Sequence, residues 1–252
     1  MFLTSWLWLL VALGPLILLE RWVHRHLQGV WLLILRDPDL ALVLYSLIML
    51  PGVLLHEGSH WIMATVLGVR AGRFSVIPTR MPDGTLRLGY VETEATDFIR
   101  EALIGAAPLL FGATAIIVIG YTWLGVGPAG EALAQGDLLG LLAALGAMVG
   151  GPDFWLLIYL VFAISNSMLP SASDRRGWWR LLLLVGVLSV ALYYLGFGSV
   201  LLEAIAGPVD AGVRALAAAF TITVGLNLCL VPIVWLAERA ISRVTGLKVE
   251  YE

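Results

Sequence analysis

The stretch LALVLYSLIMLPGVLLHEGSHWIMATVLGV, residues 40–69, joins a long apolar run to a compact polar cluster. As a helix it would be about 45 Å long at 1.5 Å per residue, which exceeds the roughly 30 Å hydrocarbon core of a bilayer. Two histidines and a carboxylate, His56, Glu57 and His60, lie inside it. Ionisable side chains are costly in such a segment and usually serve a function. The stretch therefore predicts a membrane-spanning helix that carries a functional site.

The composition of the whole chain agrees with a membrane location. Of 252 residues, 60% are hydrophobic and 13% are charged, so we expect an integral membrane protein surrounded by lipid, in a prokaryotic cell membrane. The net charge of −3 and the absence of a basic run longer than Arg175-Arg176 argue against a nucleic-acid partner. Cys229 is the single cysteine, which excludes an internal disulfide and a cysteine-based metal cluster.

Six apolar segments are long enough to predict membrane crossings. They are residues 3–19, 40–69, 102–124, 154–169, 178–202 and 213–238. A seventh apolar segment, residues 138–150, is too short to span alone and is interpreted as a half-helix or as an extension into the fourth crossing. The first segment lacks a basic leader and a cleavage site, so we expect a retained anchor. The predicted fold is an all-α polytopic membrane protein.

The distribution of Arg and Lys predicts the orientation of these crossings. Cytoplasmic loops are enriched in basic residues, and the bias here favours cytoplasmic termini. In that arrangement the polar cluster lies in the inner half of the second crossing. His24 and His26, which follow the first crossing, are expected on the opposite side of the membrane.

The segment RFSVIPTRMPDGTLRLGYVETEA, residues 73–95, predicts a β-hairpin between the second and third crossings. Two β-prone stretches flank Met81-Pro82-Asp83-Gly84, whose Pro and Gly suit a type I turn. An exposed strand edge can bind an extended peptide through main-chain hydrogen bonds. The alternative is an ordinary cytoplasmic connector.

The spacing of the polar cluster is typical of a metal site. Residues four apart point in nearly the same direction on a helix, so His56 and His60 can hold one metal ion. Glu57 is rotated by about 100° and can reach a nearby water without being a ligand. In this arrangement zinc is the Lewis acid and glutamate the general base. The alternative is three buried polar residues that pair with neighbouring helices.

A catalytic zinc site needs a third protein ligand. Because the other histidines are expected across the membrane, a carboxylate is favoured, and Asp174 is the best candidate. It follows the fourth crossing through SNSMLPSASDRRG, residues 165–177, where Pro170 is expected to stop the helix and irregular backbone can line a polar cavity. An ion pair with Arg175 or Arg176 is the alternative for Asp174. Weaker alternatives for the ligand are Glu92, Glu94 and Asp97.

These residues resemble the site-2 proteases, zinc metalloproteases that cleave peptide bonds within the membrane. The resemblance covers residues 40–177 and rests on the His56-Glu57-Gly58-Ser59-His60 helix, the following hairpin, and Asn166 with Asp174 eight residues later. The last pair is similar to the family signature Asn-x-x-Pro-x-Pro-x-x-Asp-Gly. Here Pro170 is one position late, the second proline is missing, and Arg175 replaces the glycine. These departures leave the conformation of the Asp174 loop open.

The resemblance implies a function and a division of the chain. Residues 40–177 would be the metalloprotease core, residues 1–39 an anchor and loop, and residues 178–252 two further helices and a short tail. Zn²⁺ would be held by His56, His60 and Asp174, with Glu57 as the catalytic base and a membrane-protein helix as substrate. Asn166 would bind the substrate backbone, or would make an interhelical amide contact instead.

Two alternative functions remain open from the sequence. The first is a non-catalytic relative that binds membrane partners. The second is a transporter, for which Asn227 and Pro232 in the last segment would be suitable, although no internal repeat is visible. The oligomeric state is also open.

Overall fold

The computed structural model describes residues 2–80, 86–87 and 89–251, which form eight α-helices and four short strands. The helices are α1 Phe2–Leu35, α2 Pro38–Val66, α3 Phe98–Val118, α4 Val126–Gln135, α5 Leu138–Val149, α6 Phe154–Ser165, α7 Trp178–Leu192 and α8 Gly198–Thr245. The strands are β1 Ala71–Ser75, β2 Thr79–Arg80, β3 Leu86–Arg87 and β4 Tyr90–Thr93. Two π-helical stretches, Ile119–Leu124 and Tyr193–Phe197, continue α3 and α7.

Helix α1 is much longer than the predicted first crossing. It continues for 34 residues because the sequence after Leu19 remains helix-compatible. The chain reverses only at Arg36, which has a φ of 55°. Asp37 then caps α2 by accepting hydrogen bonds from the backbone N–H groups of Asp39 and Leu40, and Pro38 begins the helix. Residues 20–35, predicted as part of a loop, are therefore helical.

The predicted hairpin is present, but it forms two separate ladders. β1 pairs antiparallel with β4, with an irregularity between Ala71 and Phe74, and β2 pairs antiparallel with β3. The predicted turn at residues 81–84 lies outside the described residues. β4 has one neighbouring strand in the described part of the sheet.

The predicted fourth crossing is not a single straight helix. α6 ends at Ser165, so its 12 residues extend about 18 Å, too short to cross a bilayer alone. α5 precedes it at an angle of 98°, with Asp153 in the left-handed region between them. The short apolar segment is a separate helix that meets α6 at this bend, and α6 ends before Pro170 is reached.

Five helices in the described residues are long and apolar enough to cross a membrane, and the bent α5–α6 pair would make a sixth if it counts as one span. The five are Leu3–Leu35, Pro38–Val66, Phe98–Leu124, Trp178–Val200 and Leu202–Thr245. The last helix begins earlier than predicted, because the chain kinks at Gly196, with a φ of 83°, and residues 203–212 are helical. These lengths and compositions are consistent with a membrane protein.

The main apolar core brings α1, α3, α6 and α8 together. Leu16, Ile116, Val161 and Phe220 are buried there, one from each helix. α7 contributes no buried residue, and its apolar side chains face outward. α6 packs against α2, α3 and α8, and the loop that follows α6 carries Asp174.

Candidate metal centre

α2 places His56 and His60 side by side, as the spacing predicts. Their Nε2 atoms are 3.3 Å apart, and the two rings are nearly perpendicular, at 77°. His60 is buried, at 8% exposure. The paired Nε2 atoms point to one common place, which is the arrangement that two histidine ligands need.

His60 is oriented by a backbone carbonyl of α3. Pro108 lacks an N–H group, so the carbonyl of Ile104, four residues earlier, has no helical donor there. The Nδ1–H of His60 donates to that carbonyl at 2.8 Å. Because Nδ1 carries the proton, Nε2 keeps its lone pair for a metal. The proline in Leu103-Ile-Gly-Ala-Ala-Pro108 therefore has a part in the site beyond packing.

His56 is oriented by the end of α6 in the same way. The last carbonyls of a helix have no partner within the helix. Nδ1–H of His56 donates to the carbonyl of Ser167, just beyond that end, at 2.6 Å. Both histidines therefore present Nε2 to the same point, and each is held by a backbone acceptor on a different element.

Asp174 reaches the histidines from the loop between α6 and α7. Its carboxylate Oδ2 accepts the backbone N–H of Ser171 at 2.7 Å, which closes a tight turn. A Cβ at Gly105 of α3 would lie only 1.9 Å from the carbonyl oxygen of Asp174, so only glycine allows this approach. Burial opposes ionisation of the Asp174 carboxyl, but the neighbouring His56 imidazole and Ser171 hold its pKa well below the ordinary range.

The three side chains fit a zinc ion. Asp174 Oδ2 lies 3.6 Å from Nε2 of His56, and Oδ1 lies 3.4 Å from Nε2 of His60. One ligand atom from each residue can be chosen so that all lie within 4.8 Å of one another. Zinc bonded at about 2.0 to 2.1 Å in a tetrahedron separates its ligand atoms by roughly 3.3 to 3.4 Å. The observed spacings are close to that value, and the donor set of two imidazoles and a carboxylate is one that zinc accepts.

Glu57 and strand β4 line the same cavity as these residues. The cavity has a volume of about 1100 Å³ and includes Val91 and Thr93 of β4. A Cβ at Gly89 would lie 2.9 Å from Cγ of Glu57, so the start of β4 packs directly on the stem of this glutamate. The same cavity is therefore lined by Glu57, by strand β4 and by the cluster of His56, His60 and Asp174.

The weaker candidates for the third ligand have other partners. Glu94 lies at the cavity wall and pairs with Arg70 at 3.7 Å, while Asp97 caps α3 by accepting from Ile99 and Arg100. Glu94 is exposed. Asp97 is exposed as well, and the backbone hydrogen bond from Arg100 lowers the pKa of its carboxyl. Neither joins the cluster formed by the histidines. Glu92, the third candidate, lies on β4 outside that cluster.

The alternative for Asp174, an exposed loop acid that pairs with Arg175 or Arg176, is not what the structure shows. The Nε–H of Arg175 donates to the carbonyl of Ser171 at 3.2 Å, and the side chain of Asp174 is 14% exposed. Arg176 lines the cavity. The carboxylate of Asp174 therefore faces the histidines and not bulk solvent.

Asn166 makes the interhelical contact that the sequence left open. Its amide exchanges two hydrogen bonds of 3.1 Å with the amide of Asn227 on α8, and both residues are buried. Its Nδ2 also donates to the carbonyl of Phe162 at 2.9 Å. A role of Asn166 toward a substrate stays a prediction, and it would require this pair to open.

His24 lies in the cavity, so the expectation that it is across the membrane from the motif is wrong. Because α1 does not end at Leu19, it carries His24 to the end of α6, where Nε2 lies 2.8 Å from the carbonyl of Asn166. Glu20, one turn earlier, also lines the cavity. The spacing of Glu20 and His24, four residues apart, is the sequence signal that places both on one face of a helix. His26 points elsewhere, toward Glu238 of α8.

Comparison of the chain with protein-family models, with curated proteins and with solved structures finds no match.

Proposed function

We propose that the protein is a membrane-embedded zinc endopeptidase of the site-2 protease type. The observation that supports this most strongly is the convergence of His56, His60 and Asp174 at ligand spacing, with Glu57 in the same cavity. The order of these residues along the chain agrees with the resemblance to that family. A polar cluster that only stabilised the fold would not need a carboxylate such as Glu57 beside it as a general base.

Each residue has a defined part in this proposal. His56 and His60 would hold zinc through Nε2, because the Nδ1–H groups are donated to Ser167 and Ile104. Asp174 would supply the third ligand. When bound, zinc would act as a Lewis acid toward the peptide carbonyl and toward water.

Glu57 performs the proton transfers. Its carboxylate accepts a proton from the water whose oxygen bonds to the peptide carbonyl carbon. When the carbon–nitrogen bond breaks, Glu57 returns that proton to the leaving amine. The packing of Gly89 against the stem of Glu57 restricts the positions that its carboxylate can take.

The proposed substrate is a membrane-protein helix that unwinds locally. A helical peptide bond is shielded by its own hydrogen bonds, so the reacting segment must be extended. β4 pairs with β1 on one side and contributes Val91 and Thr93 to the cavity, which places a strand beside the proposed reaction site. Main-chain pairing with this strand would hold an extended substrate.

The same proposal places the chain in a prokaryotic cell membrane with cytoplasmic termini. With the bent α5–α6 pair as one crossing, six crossings bring both ends of the chain to one side. Because Arg21 and Arg25 lie within α1, fewer basic residues remain in the first outer connection, which leaves the charge bias in favour of cytoplasmic termini. The outward apolar side chains of α7, such as Leu182 and Val187, would face lipid.

The proposal can be tested by hydrolysis in ¹⁸O-labelled water. Zinc-loaded protein in liposomes is mixed with a panel of single-span peptides that carry Gly, Asn or Pro near the middle, and fragments are identified by mass spectrometry. We expect fragments with one ¹⁸O in the new carboxyl group, and a loss of at least about 100-fold in Glu57→Gln. If fragments formed equally in that variant, or were absent across the panel with wild-type protein, a non-catalytic partner-binding protein or a transporter would be the better account.

A further inference from the structure

Two histidines from different helices bind consecutive carbonyls at the end of α6. His56 of α2 donates to the carbonyl of Ser167, and His24 of α1 contacts the carbonyl of Asn166 at 2.8 Å. These carbonyls follow directly on the last residue of α6, where the helix offers no backbone N–H to bind them. The Asn166–Ser167 segment, which orients the proposed zinc ligand His56, is therefore also held by His24 of α1.

His24 is itself held in one orientation. A carbonyl can only accept, so Nε2–H of His24 donates to Asn166, and Nδ1 accepts from the hydroxyl of Tyr45. Tyr45 lies on α2 and is 1% exposed. The neighbouring carboxylate of Glu20 is 3.6 Å from Nε2. Tyr45, His24 and Asn166 therefore form a chain of contacts that ends next to the carbonyl bound by His56.

We propose that His24 is a positioning residue of the metal centre, and that α1 is part of the site although it lies outside the core that the family resemblance covers. By fixing the Asn166–Ser167 peptide, His24 keeps the acceptor of His56 in place and so keeps Nε2 of His56 aimed at the metal. This inference rests on the proposed zinc site. It makes no use of a direct contact between His24 and the metal or the substrate.

The test measures zinc affinity in detergent by competition with a chelating dye, with the absorption spectrum of the cobalt-loaded protein as a second readout. His24→Phe keeps the ring volume and removes both ring nitrogens. Outer hydrogen-bond partners of metal ligands typically contribute 10- to 100-fold to affinity, so we expect Kd to rise by about tenfold and the cobalt bands to shift. His24→Gln, which can still donate to Asn166, should stay within about threefold of wild type.

His26→Phe is the matched control on the same helix. His26 contacts Glu238 at 2.5 Å and packs against the rings of Trp22 and Tyr251, so its partners lie on α1, on α8 and in the C-terminal tail. Its substitution should weaken the attachment of α1 to α8 while leaving the zinc affinity and the cobalt spectrum unchanged. Equal effects of the two Phe variants would mean that only the packing of α1 matters, and would overturn the inference.

The remaining outcomes distinguish a failure of the role of His24 from a failure of the zinc site itself. If wild-type protein binds zinc and folded His24→Phe binds it equally tightly, the role of His24 is refuted and the zinc site stands. If wild-type protein binds no zinc, both proposals fail. Should His24→Phe not fold, Tyr45→Phe removes the hydroxyl that orients His24 and should raise Kd by a smaller factor with a shifted cobalt spectrum. A wild-type affinity and spectrum in that folded variant would overturn the inference as well.

Discussion

Gly105→Ala should disable the metal centre without touching a ligand. The added Cβ would lie 1.9 Å from the carbonyl oxygen of Asp174, 2.8 Å from its carbonyl carbon and 3.2 Å from its Cα. Ordinary contact begins at 3.4 Å, so the Asp174 peptide has to move by about 1.5 Å or α3 has to shift. A metal site tolerates roughly 0.2 Å in its bond lengths. The carboxylate would therefore leave the position where it bridges His56 and His60.

The expected consequence is a loss of zinc affinity of at least about 100-fold, or about 2.8 kcal/mol, since a misplaced ligand costs no less than a lost outer partner. The assay is chelator competition on folded protein, with circular dichroism as the check of helix content. Gly58→Ala is the matched control, because a Cβ at this helical glycine meets no atom within 4 Å. It should bind zinc as the wild type does and gain about 0.5 to 1 kcal/mol of stability.

Wild-type zinc affinity in folded Gly105→Ala would refute this reasoning. It would mean that the Asp174 loop can relax without moving its carboxylate, or that Asp174 is not a ligand.

Two further predictions concern elements that hold the site. Asn227→Leu removes the partner of the buried Asn166 amide, so the free energy of unfolding in mixed micelles should fall by about 1 to 3 kcal/mol. The control is Cys229→Ala, at an exposed position on the same helix, which should leave that free energy unchanged. Asp97→Ala removes the N-cap of α3 and should lower the Tm at neutral pH. Because the pKa of Asp97 is lowered in the folded protein, this stabilisation is present above the ordinary value of 3.8 and should fade as the pH falls through the folded-state pKa, so the Tm difference should shrink there.

The residues of the candidate metal cluster could be predicted because their signal is local. The four-residue spacing of His56 and His60 fixes their direction on any helix, and Asp174 stands at the first acid after the α6 segment. The orienting partners could not be predicted in the same way. The contact between the carbonyl of Ile104 and His60 depends on how closely α2 and α3 pack. No residue spacing within one segment encodes that packing.

The errors have physical causes as well. A first crossing that ends at Leu19 leaves out the charged residues Glu20 and Arg21. Long helices nevertheless continue through charged residues where partners or cavities receive them, and Glu20 faces such a cavity. Because α1 continues to Leu35, His24 lies in the same cavity as His56 and not across the membrane from it. The bend between α5 and α6 falls at Gly150, Gly151 and Pro152, residue types that favour a break but do not determine its angle of 98°. The pairing of Asn166 with Asn227 joins residues 61 positions apart, beyond the reach of local patterns.

The most direct test of the central claim is the metal content of the detergent-purified protein, measured by mass spectrometry for the wild type and three variants. The account predicts near-stoichiometric zinc in the wild type and in Glu57→Gln, because Glu57 is a base and not a ligand, and a loss of zinc in His56→Ala and Asp174→Ala. The absence of zinc from wild-type protein prepared without chelator, or its retention in both ligand variants, would contradict the account.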